Sequence, residues 1–179
     1  GCTRAKNPCD YCSLSPDIST SSPEMFWREI EEAHEQIGAN VFFEVCDSFT
    51  SFHTEYHDAL REKKPRLGFT PELFVYGQAR ELHARPELAK TLREIGVTRL
   101  NIGIDSMAEE TLRDMKKGSI GVGKTRYEDS VEGNWHALEL AKEQGIHIYA
   151  SLVLASKKET PETMRQTEEG AYRMIDRRL

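Results

Sequence analysis

The chain has 179 residues, 38% of them hydrophobic and 30% charged, enough for one domain with a real core and too few for two. Lys and Arg total 24 against 30 Asp and Glu, a net charge of −6, so the positive field of a protein held on phosphate backbones is missing and nucleic acid is not indicated. No stretch approaches the ~18 uninterrupted apolar residues of a membrane span, and Gly1-Cys2-Thr3-Arg4 does not open like a signal peptide; the expectation is a cytoplasmic protein with no membrane partner.

The first predicted helix is capped and opened by Ser22-Pro23 and carries Phe26, Ile30, Ala33 and Ile37 at helical spacing before Gly38 stops it. Asn40 to Val45 reads as a strand, and a helix follows around Phe52, Tyr56, Ala59 and Leu60. Leu73 to Gly77 is the second strand. Pro86, Leu88, Leu92 and Ile95 mark a helix stopped by Gly96, and Val97 to Ile104 is the third strand, with Leu100, Ile102 and Ile104 alternating. Glu109 to Lys117, with Leu112 and Met115 three apart among charges, is an amphipathic helix. Val131, Trp135, Leu138 and Ala141 line another, which Gly145 ends before the apolar strand Ile146 to Leu154. The last helix opens at Thr160-Pro161.

Strands separated by helix-length segments predict parallel β/α units, and their near-continuous apolar runs predict a sheet covered on both faces. Four strands do not close a barrel, which usually needs eight. The cysteine at the very start and the charged tail Asp176-Arg177-Arg178-Leu179 suggest a segment of something longer.

Three of the four cysteines crowd into Cys2-x6-Cys9-x2-Cys12, beside Pro8 and without helical or strand period. Thiolates this close converge on one metal centre at little loop-closure cost. A [4Fe–4S] cluster held wholly by protein needs four cysteines, so three leave one iron open to an external ligand. A zinc site completed by a His or by Cys46, and a set of unligated thiols, are the alternatives.

A three-cysteine loop with an aromatic, Tyr11, inside its final Cys-x2-Cys and β/α units behind it resembles the radical S-adenosylmethionine (radical SAM) superfamily. Phe43-Glu44-Val45-Cys46-Asp47-Ser48-Phe49-Thr50 is similar to its second-strand segment and Leu100-Asn101-Ile102-Gly103-Ile104-Asp105-Ser106 to its fourth. Met115-Lys116-Lys117-Gly118 and Gly145-Ile146-His147-Ile148 also stand where that pattern has similar residues. The first cysteine gap is six residues here against the family's usual three, and Glu44 to Ser48 replaces its glycine-rich segment.

The resemblance implies a partial, TIM-type parallel β/α barrel, commonly of six units, of which this chain holds strands two to five as a single core domain. It implies an enzyme with two cofactors, a [4Fe–4S] cluster on Cys2, Cys9 and Cys12 and S-adenosylmethionine bound at the open iron. Reductive cleavage of the latter gives a 5′-deoxyadenosyl radical that abstracts hydrogen from a substrate, and an electron donor such as flavodoxin or ferredoxin supplies the reductant. It further implies that Tyr11 packs near the adenine, that Asp47 and Ser48 meet the methionine end, and that Arg80 pairs with the carboxylate. Asp105 bonds the ribose hydroxyls, Lys117 reaches the cofactor from the following loop, and Ser151 holds the matching place in the fifth strand. The substrate is not legible.

Other signals compete. Gly118 to Thr125 matches the P-loop pattern G-x4-G-K-T, but it follows an amphipathic helix where a P-loop follows a buried strand, so a lysine-bearing loop is the expectation. His53 and His57, four apart on a helix, read as a solvated face rather than a metal pair. His34, His83, His136 and His147 read as separate packing or surface residues, and Cys46 as a small buried residue ending a strand.

Overall fold

The computed structural model describes residues 9, 11–13, 19–117 and 130–179. Cys2 and the Gly118–Thr125 stretch therefore lie outside the described residues. Four parallel strands form one sheet in the order β1-β2-β3-β4: β1 (Val41–Phe43), β2 (Glu72–Gln78), β3 (Val97–Asp105) and β4 (His147–Leu152). The helices between and around them are α1 (Pro23–Ile37), α2 (Thr54–Glu62), α3 (Ala79–Ala84), α4 (Glu87–Ile95), α5 (Glu109–Asp114), α6 (Val131–Glu143) and α7 (Pro161–Asp176). This is an α/β partial barrel.

Local chemistry sets the helix ends. Ser22 Oγ accepts from the Met25 amide at 3.2 Å, Pro23 occupies the first turn, and Gly38 takes φ +71° just past the end of α1, the backbone conformation that a residue without Cβ adopts freely. Thr160 and Thr163 cap each other at the start of α7. In α4, Leu88, Leu92 and Ile95 form the buried stripe. Leu73 and Val75 of β2 and Leu100, Ile102 and Ile104 of β3 complete a core that includes Phe26, Trp27, Leu60, Leu82 and Leu138.

Among the described residues the sheet is covered on one face, not on both. Leu73 and Val75 are fully buried while Tyr76, Phe43 and Tyr149 are 37–52% exposed. The apolar runs that suggested double coverage contain aromatics on the uncovered face, where they pack on one another across strands: Phe43 with Phe74 at 5.0 Å and Phe74 with Tyr149 at 5.3 Å between ring centres. β1 is also shorter than the predicted Asn40 to Val45, because after Glu44, whose amide still donates to the Phe74 carbonyl at 2.9 Å, the chain leaves β2 and enters a buried 3₁₀ turn at Phe49–Ser51. Cys46 consequently does not end a strand; it is half-buried in that crossing. The short helix α3, which starts directly from β2, escaped the periodicity because it has only 6 residues.

That 3₁₀ turn presses against β2. A Cβ on Gly77 would stand 2.6 Å from Thr50 Cγ2 and 3.0 Å from Leu100 Cδ1. Gly77→Ala is expected to destabilise the fold by about 1–3 kcal/mol, read from urea unfolding; an unchanged midpoint would mean that Thr50 gives way freely.

His57 does not lie on a solvated face. It is fully buried under the same turn, donating Nε2–H to the Phe49 carbonyl at 2.9 Å, while Nδ1 has no hydrogen-bond partner among the described residues. Burial, chiefly, pushes its pKa down to about 4. An unfolded chain takes up this proton near pH 6.5 and the folded chain resists it until about pH 4. Stability is therefore fully present above pH 6.5 and is lost as pH falls, by on the order of 3 kcal/mol at the low end. Urea melts at pH 7 and pH 5 should show this slope, and His57→Asn should flatten it. His83 and His136, single in the sequence, come together between α3 and α6 with their Nδ1 atoms 2.9 Å apart.

Candidate functional site

Polar residues gather at the C-terminal ends of β1 to β3, where each strand hands over to its helix or loop. In a parallel β/α sheet this edge is where side chains converge on a ligand, because every connection there is a loop.

Asp105 is the centre. β3 shifts register against β4 between Gly103 and Asp105, a bulge that re-aims the side chain at the strand end. Asp105 takes φ +59°, and the Ser106 amide donates across it to the Ile104 carbonyl at 2.7 Å. A three-residue turn closed in this way with positive φ at its centre is the rare, strained form of γ-turn, costing about 1–3 kcal/mol for a residue with a Cβ. The Val153 amide, donating to the Asp105 carbonyl at 2.9 Å, pins it from just past the end of β4.

The Asp105 carboxylate receives two partners. Lys117, 5% exposed, donates Nζ–H to Oδ2 and also to the Gly103 carbonyl at 3.1 Å. Tyr11 donates its hydroxyl to the same Oδ2 at 2.5 Å. Burial first, then the Asp105 carboxylate and the Cys9 thiol, hold the Tyr11 phenol well above its ordinary pKa, so it stays a protonated donor. Tyr11 thus ties the cysteine loop to β3.

Cys9 is buried and Cys12 half-buried, and neither is in a disulfide. The Cys12 amide donates to the Cys9 carbonyl at 3.0 Å, a tight turn that carries both thiols on one loop. This donor set suits a soft metal centre with thiolate ligands. Among the described residues no three His, Cys, Asp or Glu side chains form an alternative metal set, and the third expected ligand, Cys2, lies outside them.

A second polar group sits at the ends of β1 and β2. Ser48 Oγ lies 2.7 Å from Ser51 Oγ, and Gln78 Nε2 donates to Ser48 at 3.0 Å and to Ser51 at 2.9 Å. Gln78 Oε1 in turn accepts from Arg80 Nε at 2.8 Å, and Arg80 also pairs with Glu81 at 3.5 Å. The fork is therefore oriented by residues of its own strand end. Gln78 was missed in the sequence; its position as the last residue of a strand, two before the arginine, was the available signal. Ser151, opposite Gly103 in the register, donates to Asn101 Oδ1 at 2.7 Å on the open face. Asp47 stands exposed in the loop after β1.

Comparison with known proteins gives the family and the fold. The profile of the Radical SAM superfamily matches residues 1–169. No curated protein matches the chain in sequence. Among solved structures, the cobalamin-dependent S-adenosylmethionine radical enzyme OxsB, with aqua-cobalamin and S-adenosylmethionine bound, is similar over 94% of this chain and 25% of its own, with TM-score 0.77 and 14% identity. The radical S-adenosylmethionine methyltransferase TsrM from Kitasatospora setae, with cobalamin and a [4Fe–4S] cluster bound, is similar over 94% of this chain and 30% of its own (TM-score 0.76, 20% identity). The radical SAM coproporphyrinogen III oxidase HemN from Escherichia coli is similar over 94% and 39% (TM-score 0.61, 16% identity). The chain thus spans between a quarter and two-fifths of the length of these proteins. At such identities the likeness shows the fold, and the profile over nearly the whole length shows the family. The chain belongs to the radical SAM superfamily of enzymes, whose cofactors are a [4Fe–4S] cluster and S-adenosylmethionine.

Proposed function

We propose that this chain is the cofactor-binding core domain of a radical SAM enzyme, with Cys2, Cys9 and Cys12 as ligands of a [4Fe–4S] cluster and the strand ends as the cradle for S-adenosylmethionine. The observation that carries the reading is the Tyr11–Asp105 hydrogen bond of 2.5 Å, which places the cysteine loop over the C-terminal mouth of β3. When bound, the cluster supplies the electron for reductive cleavage of S-adenosylmethionine, the start of hydrogen abstraction from a substrate.

The chain's own residues then divide the binding work. Asp105, paired with Lys117, accepts from the ribose hydroxyls, and two adjacent hydroxyls match a carboxylate as paired donors. Arg80, turned by Gln78, offers its guanidinium to the cofactor carboxylate. Tyr11 flanks the adenine from the cysteine loop and excludes water there. Lys117, buried behind the end of β3, serves the cofactor through its pairing with Asp105, Ser48 and Asp47 serve the methionine end, and Ser151 faces it from β4. The reductant is a small electron-transfer protein of the flavodoxin or ferredoxin kind, and the substrate enters over the open sheet face.

Anaerobic reconstitution of the full-length protein with iron and sulfide tests the proposal. About four irons per chain, with an EPR spectrum of the reduced protein altered by S-adenosylmethionine, is the expected result. Zinc in place of iron, or a cluster indifferent to S-adenosylmethionine, would overturn it.

A further inference from the structure

We infer that Asn134 is a positioning residue: from α6 it holds the Asp105 turn in the shape that receives the cofactor. The inference rests on the reading just given, in which Asp105 meets the ribose. It goes beyond that reading by assigning the orientation of Asp105 to a residue on a different helix, one that touches neither cofactor nor cluster.

The geometry is specific. Asn134 is 1% exposed, and its Nδ2 donates to the Ile104 carbonyl at 3.1 Å and to the Ser106 carbonyl at 3.2 Å. These are the carbonyls of the two residues on either side of Asp105. The bulge takes this stretch out of regular ladder pairing with β4, so the Ser106 carbonyl and the Ile104 carbonyl, which also accepts from the Ser106 amide, take donors from outside the ladder. One primary amide supplies both, because its two N–H groups diverge enough to span two carbonyls. A side chain that grips both flanks of a left-handed residue fixes the direction in which that residue's own side chain leaves the backbone.

The surrounding bonds make the clamp rigid from its far side. Ser106 Oγ lies 2.9 Å from Thr167 Oγ1 of α7 and accepts from the Ala108 amide at 3.1 Å, and the Met107 amide donates to Thr167 at 3.2 Å. α6 is itself anchored next to the turn, since the Ser130 side chain accepts from the Gly133 amide at 2.9 Å and Glu109 Oε1 from the Val131 amide at 2.6 Å. Strain at Asp105 persists only because the neighbours over-determine it. Without Asn134 the turn relaxes, and the carboxylate leaves the direction shared by Tyr11 and Lys117.

A double-mutant cycle in the full-length reconstituted protein separates positioning from mere support. S-adenosylmethionine affinity is measured for Asn134→Ala and Asn134→Asp, each in the wild-type background and in an Asp105→Ala, Lys117→Met background, with a thermal melt to confirm folding. Asn134→Asp keeps the side-chain shape and removes the donors. Either substitution is expected to weaken binding about tenfold where Asp105 is present and to change it less than twofold where Asp105 is absent. Hydrogen exchange on the cluster-free protein gives a readout independent of the cofactor: the amides of residues 105–108 should exchange faster in the Asn134 variants. Equal losses in both backgrounds, or wild-type affinity in a folded Asn134 variant, would overturn the inference and leave the proposed function standing. A wild-type protein that holds its cluster and does not bind S-adenosylmethionine would overturn both.

Discussion

Cys9→Ala or Cys12→Ala is expected to abolish iron retention in the full-length protein, from about four irons per chain to a small residue of that value, and with it any effect of S-adenosylmethionine on the EPR spectrum. In the proposed arrangement each thiol is one of three ligands of a single centre. The described residues hold no other cluster of His, Cys, Asp or Glu side chains able to replace a lost ligand. Cys46→Ala is the matching control and should retain iron. Burial, with the carboxylates of Glu44 and Asp47 nearby, pushes the Cys46 thiol up to about 12, and the ligand of a metal is the thiolate, not the thiol. Iron content and visible absorption decide the matter. Loss of iron from Cys46→Ala at the level seen for Cys12→Ala would move Cys46 into the ligand set and favour the zinc-type arrangement that the sequence also allowed.

The fold was readable wherever periodicity is long or punctuation is strong. Ser22-Pro23 and Gly38 bound α1, and Thr160-Pro161 opens α7, as capping chemistry requires. The alternation Leu100, Ile102, Ile104 was likewise enough to place β3. Three features escaped for a shared reason: they are set by partners distant in sequence. The open sheet face could not be told from a covered one, because aromatics such as Phe74 and Tyr149 satisfy a hydrophobic pattern whichever side they occupy. His57 looks polar in sequence and is buried because the Phe49 carbonyl, eight residues back, needs a donor. Gln78 and Asn134 carry no chemical signature of their own; their importance lies in where their amides point. The candidate site was legible in its charged residues, since Asp105, Lys117 and Arg80 stand at strand ends or just beyond. The neutral groups that orient them were not.

Asp105→Ala should lose stability by about 3–5 kcal/mol and, in the reconstituted protein, part of its still measurable affinity for S-adenosylmethionine as well; these two losses have different causes that a second substitution separates. Lys117 is buried, and Asp105 is the carboxylate with which it pairs. Removing one partner of such a pair leaves a desolvated charge, which costs more than the pair contributed when intact. The Gly103 carbonyl, 3.1 Å from Nζ, satisfies one N–H but does not neutralise the charge. Lys117→Met in the same background removes the stranded ammonium and fills nearly the same volume with apolar atoms, so most of the lost stability should return in urea melts. Affinity for S-adenosylmethionine should not return, because methionine restores packing and supplies no acceptor for the ribose hydroxyls. Recovery of both would show that Asp105 acts only by neutralising Lys117, and the ribose contact would then have to come from another residue at the mouth. Recovery of stability alone places the carboxylate itself against the cofactor and makes the strained turn beneath it a cost of function rather than of folding.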